Sequence, residues 1–368
     1  MTVRILALVT DGYGARGGIA RYNRDLLGAL AGTGAQILVL PRIGDATREA
    51  LPAGVAQRPA ILGRLRFALA ALSEAWRSRP VDIVFCGHVF MAPLAILVGR
   101  LTGARCWLQA HGIDIWSDRR DSIRRAIESA DMVTTVSRAT RQRLLEWVDL
   151  APERVRVLPN TVDDRFSPGP PPAALRDRLK VGTGPLLLTV GRLAASERYK
   201  GHELVFSALP ALRARHPGLV YLVAGEGDDR ARLERRAAEL AGEADAVRFL
   251  GYVSDAELPD LYRLADLYVM PSAEEGFGVV YLEAAACGLR VVGGAGGGSR
   301  DAVPDERVGL LVDPRDRQAL VEAVLAMLDR GRVDPAAIEP YRRPHFAATA
   351  GRLLAGLVAR PRRMRDMP

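Results

Sequence analysis

Glu275 and Glu283 stand eight residues apart in Ser272-Ala-Glu-Glu-Gly-Phe-Gly-Val-Val-Tyr-Leu-Glu283. The apolar run Asp266-Leu-Tyr-Val-Met270 precedes them, Gly276 and Gly278 break the chain, and Val279 to Cys287 is compatible with a helix. Strand, glycine turn and helix N-terminus, in that order, gather free backbone amides and the positive end of a helix dipole into an anion site. Glu275 sits just before the turn. Glu283 falls about five residues into the helix, roughly 7 Å along its axis. Two carboxylates bracketing an anion site suit a ligand with a phosphate centre and hydroxyl-rich ends, the shape of a nucleotide sugar.

A cationic pair sits nearby in the sequence. Gly191-Arg192 follows the apolar run Leu186–Val190, and Lys200-Gly201 opens the next helical stretch. Lys200 is one of two lysines in a chain with 49 arginines, so a compact ammonium at a strand-to-helix turn is selected over a planar guanidinium. Arg192 and Lys200 could together neutralise a diphosphate leaving group as its charge develops. An ordinary lysine at the start of a helix is the plainer alternative.

Other candidates lie in the first half. Gly12-Tyr-Gly-Ala-Arg-Gly17, with Gly18 beside it, matches the dinucleotide pattern of glycines after a first strand. No acid closes the strand Ile37–Leu40, and Asp45 comes only later, so the glycines read better as a loop whose amides approach donor phosphates. His111, in Gln109-Ala-His-Gly112, ends a strand and is a candidate for touching a sugar or acceptor hydroxyl. His88 has a similar but weaker position, while His202, His216 and His345 have no supporting context. Asn160 and Asp163 are expected to satisfy turn backbone groups. Leu65, Leu69, Leu72 and Trp76 recur at helical spacing in Ala60–Arg79, flanked by Arg64, Arg66, Arg77 and Arg79. They are expected to face the core, with membrane docking as the sharper alternative.

The elements that must hold these residues alternate. Strand-like runs at Arg4–Thr10, Gln36–Leu40, Asp82–Cys86, Arg105–Gln109, Asp131–Val136 and Val155–Leu158 are separated by helical ones. A second alternation starts at Leu186–Val190 and continues through Val220–Ala224, Val247–Leu250, Leu267–Met270 and Arg290–Val292. Near-continuous apolar strands divided by helices predict parallel sheets covered on both faces, an α/β class. With 368 residues the chain predicts two domains. Asp163 to Ala173, with four prolines, joins them and leaves an expected cleft at the strands' carboxyl ends. The expected division is 1–165, 166–340 and a basic tail, 341–368.

Composition restricts the class further. Apolar residues make up 49% and charged residues 26%, ordinary for a globular protein, and no apolar run is long enough to span a bilayer. The first residues read as a strand and not a signal peptide. Cys86, Cys106 and Cys287 have no metal-ligand spacing and are expected to be buried and reduced. Residues 1–165 carry 23 Arg against 16 Asp and Glu, a balance of +7, and the tail from Tyr341 carries seven Arg against one Asp. This asymmetry predicts contact with an anionic membrane surface, unless arginine is simply preferred throughout the proteome. No nucleic acid is expected as a partner.

Taken together, these residues resemble a retaining glycosyltransferase of the GT-B fold, in glycosyltransferase family 4. The resemblance covers nearly the whole chain: Gly17-Gly18, His111-Gly112, Leu158-Pro-Asn160, Gly191-Arg192 with Lys200-Gly201, Gly225-Glu-Gly227, the E-x7-E pair and Gly309-Leu-Leu-Val-Asp-Pro314. It implies two Rossmann-like domains, the first for the acceptor and the second for the nucleotide sugar, with the tail crossing back onto the first. Arg192 and Lys200 would bind the diphosphate beside Gly191, and Glu283 the ribose. Glu275 with the amides of Gly276, Phe277, Gly278 and Val279 would meet the sugar hydroxyls and phosphate. His111 would lie near the sugar's 6-position, and Leu250, ending its strand before Gly251-Tyr252, would read the base through its backbone. The implied reaction moves a hexosyl group from a UDP- or GDP-sugar to a glycan or lipid-linked acceptor with retention of configuration. The leaving phosphate would help take the acceptor's proton.

No D-x-D occurs in the chain, which fits transfer without a metal, Arg192 and Lys200 standing in for it. No cofactor is expected. The expected location is the cytoplasm, free or at the inner face of the membrane. Three alternatives use the same fold. A phosphorylase would need a lysine bound to pyridoxal phosphate, for which Lys180 and Lys200 are the only candidates. A nucleotide-sugar 2-epimerase would need additional acids in the first domain. A non-catalytic nucleotide-sugar-binding partner would have less need of the intact Arg192, Lys200, Glu275 and Glu283 set.

Overall fold

The computed structural model describes residues 2–15, 17–44, 50–116 and 120–360, with Ile113 described by its backbone. Arg16 of the glycine loop, Asp45 and the last eight residues of the basic tail lie outside the described residues. The chain forms two compact units, one of residues 1–161 with 343–368 and one of residues 162–342. The boundaries expected after 165 and 340 thus fall after 161 and 342.

The first unit holds strands β1 (Arg4–Asp11), β2 (Gln36–Ile43), β3 (Val55–Gln57), β4 (Ile83–Cys86), β5 (Arg105–Ala110), β6 (Met132–Thr135) and β7 (Val155–Val157). They make one parallel sheet in the order β3-β2-β1-β4-β5-β6-β7. Its helices are α1 (Gly18–Ala31), α2 (Arg64–Arg77), α3 (Ala92–Thr102), α4 (Ile113–Trp116), α5 (Asp121–Ser129) and α6 (Arg138–Leu145). The chain's C-terminal helix, Arg343–Ala359, also belongs here. β3, three residues with one apolar branched side chain, was not read as a strand. β2 runs through Pro41, which pairs with Val9.

The strand order reverses between β1 and β4. Right-handed crossovers then place the β1-to-β2 helix on one face and the β3-to-β4 and β4-to-β5 helices on the other. The packing agrees: α2, α3 and α5 contact one another in series, and the C-terminal helix lies against α1. Alternate strand residues Leu6, Leu8, Val84, Cys86 and Leu108 share a core with Phe67, Ala71 and Ala75 of α2 and Ala92, Ala95 and Val98 of α3. The expected orientation of α2 is therefore corrected. Its small residues and Phe67 turn inward, while Leu65, Leu69 and Trp76 face solvent and Leu72 is only partly buried. Helical periodicity marks an apolar stripe without saying which of two such stripes meets the sheet.

The second unit holds β8 (Leu186–Val190), β9 (Val220–Ala224), β10 (Val247–Gly251), β11 (Leu267–Met270), β12 (Val291–Gly294) and β13 (Gly309–Val312), again all parallel, in the order β10-β9-β8-β11-β12-β13. Helices α7 (Leu175–Arg178), α8 (His202–Arg215), α9 (Arg230–Leu240), α10 (Leu258–Leu264), α11 (Val279–Ala286), α12 (Ser299–Ala302) and α13 (Arg317–Leu328) cover it, and the C-terminal helix is α14 (Arg343–Ala359). Its order reverses between β8 and β11. Every strand of both sheets except the edge strands is largely buried, as doubly covered parallel sheets require. Cys86, Cys106 and Cys287 are buried, and no disulfide forms among the described residues. No described helix is long and apolar enough to cross a membrane.

Candidate functional site

In open α/β sheets ligands settle at the carboxyl ends of the strands where the order reverses. In the second unit that point lies between β8 and β11. β8 delivers Gly191-Arg192, and the chain makes a short 3-10 turn, Ala195–Lys200, before α8. Gly201 joins turn to helix with φ 80°, and a Cβ there would lie 2.5 Å from the Pro271 carbonyl oxygen, so the position admits glycine. β11 delivers Pro271 to Gly278. The two loops are tied by the Ala273 N–H, which donates to the Tyr199 carbonyl at 2.8 Å.

Arg192 and Lys200 are brought together by a residue the sequence reading did not single out. Glu197, 7% exposed, takes the Arg192 guanidinium on Oε1, and Lys200 Nζ lies 3.0 Å from its Oε2. The Arg192 side chain is otherwise open, 76% exposed, whereas Lys200 is nearly enclosed and lies over Gly191. A Cβ at Gly191 would come within 3.1 Å of Nζ, a tight contact with the end of the Lys200 side chain. Two cations thus share one carboxylate, and the surplus positive charge faces the β11 loop.

Glu275 lies in that loop. Its Oε1 is enclosed without a hydrogen-bond partner. Burial raises its pKa above the ordinary carboxylate range, opposed by the positive charge of Lys200 and a Ser272 contact and reinforced by Glu197. Tyr199 feels the same surroundings: burial, then Glu197 and Glu275, push its phenol to about 12. The backbone of Glu275 is clamped by the loop after β12. Gly298 N–H donates to the Glu275 carbonyl at 2.7 Å, and a Cβ on Gly297, at φ 59°, would collide with that same oxygen. Five glycines in the six residues 293–298 were the available signal for this clamp.

Gly278, at φ 90°, caps α11 without a side-chain hydrogen bond, and its Cβ would strike the Tyr281 ring. Val279 is the first helical residue. Phe277 is buried against Tyr341, ring centroids 6.3 Å apart, so only its backbone can reach a ligand. Glu283 is the fifth residue of α11 but turns inward: it is 4% exposed and accepts from the Tyr262 hydroxyl at 3.1 Å. Leu250 occupies a bulge on edge strand β10. Phe249 pairs with Val223 and Gly251 with Ala224, leaving Leu250 out of register.

The first unit has its own polar corner where β1, β4 and β5 end. His111 donates from Nε2 to the Gly87 carbonyl at 3.0 Å and packs edge-on against Tyr22, centroids 5.2 Å apart. Burial lowers its pKa to about 4, so the ring is neutral at pH 7. Its backbone N–H donates to Asp114 Oδ1 at 2.9 Å, and Asp114 Oδ2 has no partner. Burial raises the Asp114 pKa, and the nearby His88 opposes the rise. His88 in turn accepts the Phe90 N–H on Nδ1. Asn23, fully buried beside Gly87, leaves both amide atoms unpartnered, as does the Thr10 hydroxyl. Asn23 and Asp114 were also missed. Neither belongs to a recognisable spacing, and only the fold gathers them.

Gly17 and Gly18 open α1 in this unit. Gly17 has φ 111°, and a Cβ on either residue would meet open space. Asp163 accepts a turn N–H from Arg165 as expected, but Asn160 does not: its Oδ1 is buried without a partner. His202 gains a partner, Tyr221, at 3.3 Å, and burial lowers its pKa to about 4.

With this geometry in hand, the comparisons are specific. Residues 16–166 match the family model described as Glycosyltransferase Family 4, and residues 173–342 the one described as Glycosyl transferases group 1. A GDP-mannose-dependent alpha-(1-6)-phosphatidylinositol monomannoside mannosyltransferase of Mycobacterium tuberculosis (strain CDC 1551 / Oshkosh) is 32% identical over 360 residues, covering 89% of this chain and 90% of that one. A D-inositol 3-phosphate glycosyltransferase of Geodermatophilus obscurus is 39% identical over 213 residues, 54% of this chain and 46% of that one. Among solved structures, Anabaena HepE in complex with UDP and glucose superposes with a TM-score of 0.79 over 96% of this chain and all of that one, at 20% identity.

Proposed function

The chain belongs to glycosyltransferase family 4 and is a glycosyltransferase of the GT-B fold; from that premise we propose that it moves a mannosyl group from GDP-mannose, with retention, to a phosphoinositol-bearing glycolipid. The donor and acceptor follow the relatives: one is named for GDP-mannose and a phosphatidylinositol mannoside, the other for inositol 3-phosphate. The single observation that carries the site is the linked set Arg192–Glu197–Lys200 facing Glu275, whose Oε1 lacks a partner. Arg192 and Lys200 hold the diphosphate and neutralise it as the bond to the sugar breaks. Gly191 lets Lys200 approach. The amides of Gly276 to Val279 and the α11 dipole meet the phosphate next to the sugar.

Glu275 Oε1 accepts a sugar hydroxyl, Glu283 takes the ribose, and the out-of-register backbone at Leu250 reads the base. The second unit is thus the donor domain and the first the acceptor domain. In the first, His111 is a neutral hydrogen-bonding ring suited to an acceptor hydroxyl, and Gly17 and Gly18 leave open space at the start of α1. The unpartnered groups of Asn23 and Asp114 suit a hydroxyl-rich acceptor, since buried polar groups normally find partners. Neither glutamate is a nucleophile. The attacking hydroxyl passes its proton to the leaving diphosphate on the same face of the sugar, and no metal is needed because two side-chain cations supply the charge. Buried cysteines outside any disulfide and a nucleotide-sugar donor fit the cytoplasm.

Thermal shift with GDP, UDP, ADP and dTDP, with Glu283→Ala alongside, tests the donor site. Stabilisation by GDP that is lost in the variant supports the reading, and transfer of labelled mannose from GDP-mannose to a phosphatidylinositol mannoside completes it. Stabilisation by UDP alone would replace the donor, and silence with all four would remove the site.

A further inference from the structure

Helix α2 carries two apolar stripes on opposite sides. Phe67, Ala71 and Ala75 are buried in the core of the first unit. Leu65, Leu69 and Trp76 are 74%, 59% and 68% exposed, and Leu62, just before the helix, is 69% exposed. At 3.6 residues per turn, positions 65, 69, 72 and 76 fall within a stripe about 60° wide. Helix α3 packs beside α2 on the same face of the sheet and turns Leu97 and Leu101, one turn apart, outward at 46% and 57% exposure.

The exposed charges of α2 and α3 are of one sign. Arg64, Arg66 and Arg77 on α2 and Arg100 on α3 are exposed, and Arg79 stacks its guanidinium over the Trp76 ring, 3.8 Å from the centroid. The one acid on either helix, Glu74, is buried and held by Arg58 at 2.9 Å and Arg77 at 3.6 Å. A contiguous apolar patch fringed by arginines is uncommon on a protein that meets only water.

We propose that the outer face of α2 and α3 docks on an anionic lipid bilayer. Leucines and Trp76 enter the boundary between headgroups and acyl chains, and the arginines bind lipid phosphates while their stems lie along the apolar surface. Charge selects this occupant over a second copy of the chain, because pairing two such faces would set arginine against arginine with no exposed acid on α2 or α3 to answer it. None of these residues is assigned to donor binding, so the surface stands whichever sugar is transferred.

The test is co-sedimentation of the full chain with vesicles of phosphatidylcholine alone or mixed with phosphatidylglycerol. Binding to the mixed vesicles is expected, weakened by salt. Leu65→Glu/Leu69→Glu should lower the partition by at least about tenfold. Arg64→Glu/Arg66→Glu should remove the preference for phosphatidylglycerol. Both variants should keep the wild-type melting temperature and its shift with nucleoside diphosphate, which separates loss of docking from loss of the donor site or of folding. Wild-type protein left in the supernatant with mixed vesicles overturns the proposal, as does undiminished binding by the leucine variant. A concentration-dependent dimer abolished by Leu65→Glu/Leu69→Glu would assign the face to a second copy instead.

Discussion

Glu197 gives Arg192 and Lys200 a common anchor, and it defines what each side chain contributes. Lys200, nearly enclosed, has few other poses, so its ammonium is pre-positioned for a diphosphate. Lys200→Ala is expected to lower kcat by roughly 10²-fold or more, as when one electrostatic donor is removed from a reacting charge. Glu197→Gln keeps the shape but releases both cations. Turnover should fall by about tenfold, while nucleoside diphosphate still raises the melting temperature, because the positive charges remain. Steady-state kinetics beside thermal shift distinguishes the two roles. Glu275 makes the opposite trade. Its folded pKa is raised, so the folded state binds the proton more tightly, and stability is lost as pH rises through the folded value. Glu275→Gln should therefore melt higher than wild type at pH 8, by about 2 °C or more. The gain should vanish below pH about 4.5, where wild-type Glu275 is protonated in both states. Turnover should fall in the same variant. Equal melting temperatures at pH 8 would show that the buried oxygen costs the fold nothing.

The loops at the strand ends owe their positions to glycine as much as to charge. Gly297 lets the β12 loop press on the Glu275 carbonyl, and a Cβ there would displace it. Gly297→Ala should cost about 1–3 kcal/mol of stability and weaken nucleoside diphosphate binding in the same variant, read by denaturant melts and calorimetry. Element by element, the alternation of strands and helices was legible because doubly covered strands are apolar throughout and glycines mark their ends. The gathering of side chains at those ends was legible where type and spacing coincide, as at Gly191-Arg192, Lys200 and Glu275. Glu197 was not, because an ion pair across a 3-10 turn leaves no periodic trace. The inward turn of Glu283 toward Tyr262 depends on how α10 packs on α11, which spacing alone does not encode. The outward turn of Leu65 and Leu69 depends on which stripe is smaller, since a close-packed helix layer prefers the alanine side.

At the scale of the whole molecule the two units are unequal. Residues 162–342 are contiguous and carry their own sheet, core and proposed donor residues from Gly191 to Glu283. The other unit is completed only by α14, whose Phe346, Ala350, Leu354 and Leu357 are buried and whose Phe346 ring meets Tyr22 at 5.9 Å. Tyr22 is the same residue that packs on His111. Helix α14 therefore backs Tyr22, on which the neutral His111 packs. A fragment of residues 162–342 is expected to fold alone and to bind GDP within about tenfold of the full chain's affinity, since the phosphate, sugar and base contacts assigned to it lie on its own loops. It should transfer no sugar. A fragment of residues 1–161 should aggregate, because α1 loses the helix that covers it, and Leu354→Ala in the full chain should cost about 2–4 kcal/mol without altering GDP binding. Loss of GDP binding in the 162–342 fragment, despite a cooperative melt, would place essential donor contacts on Gly17, Gly18 or their neighbours and move the phosphate site toward the first unit.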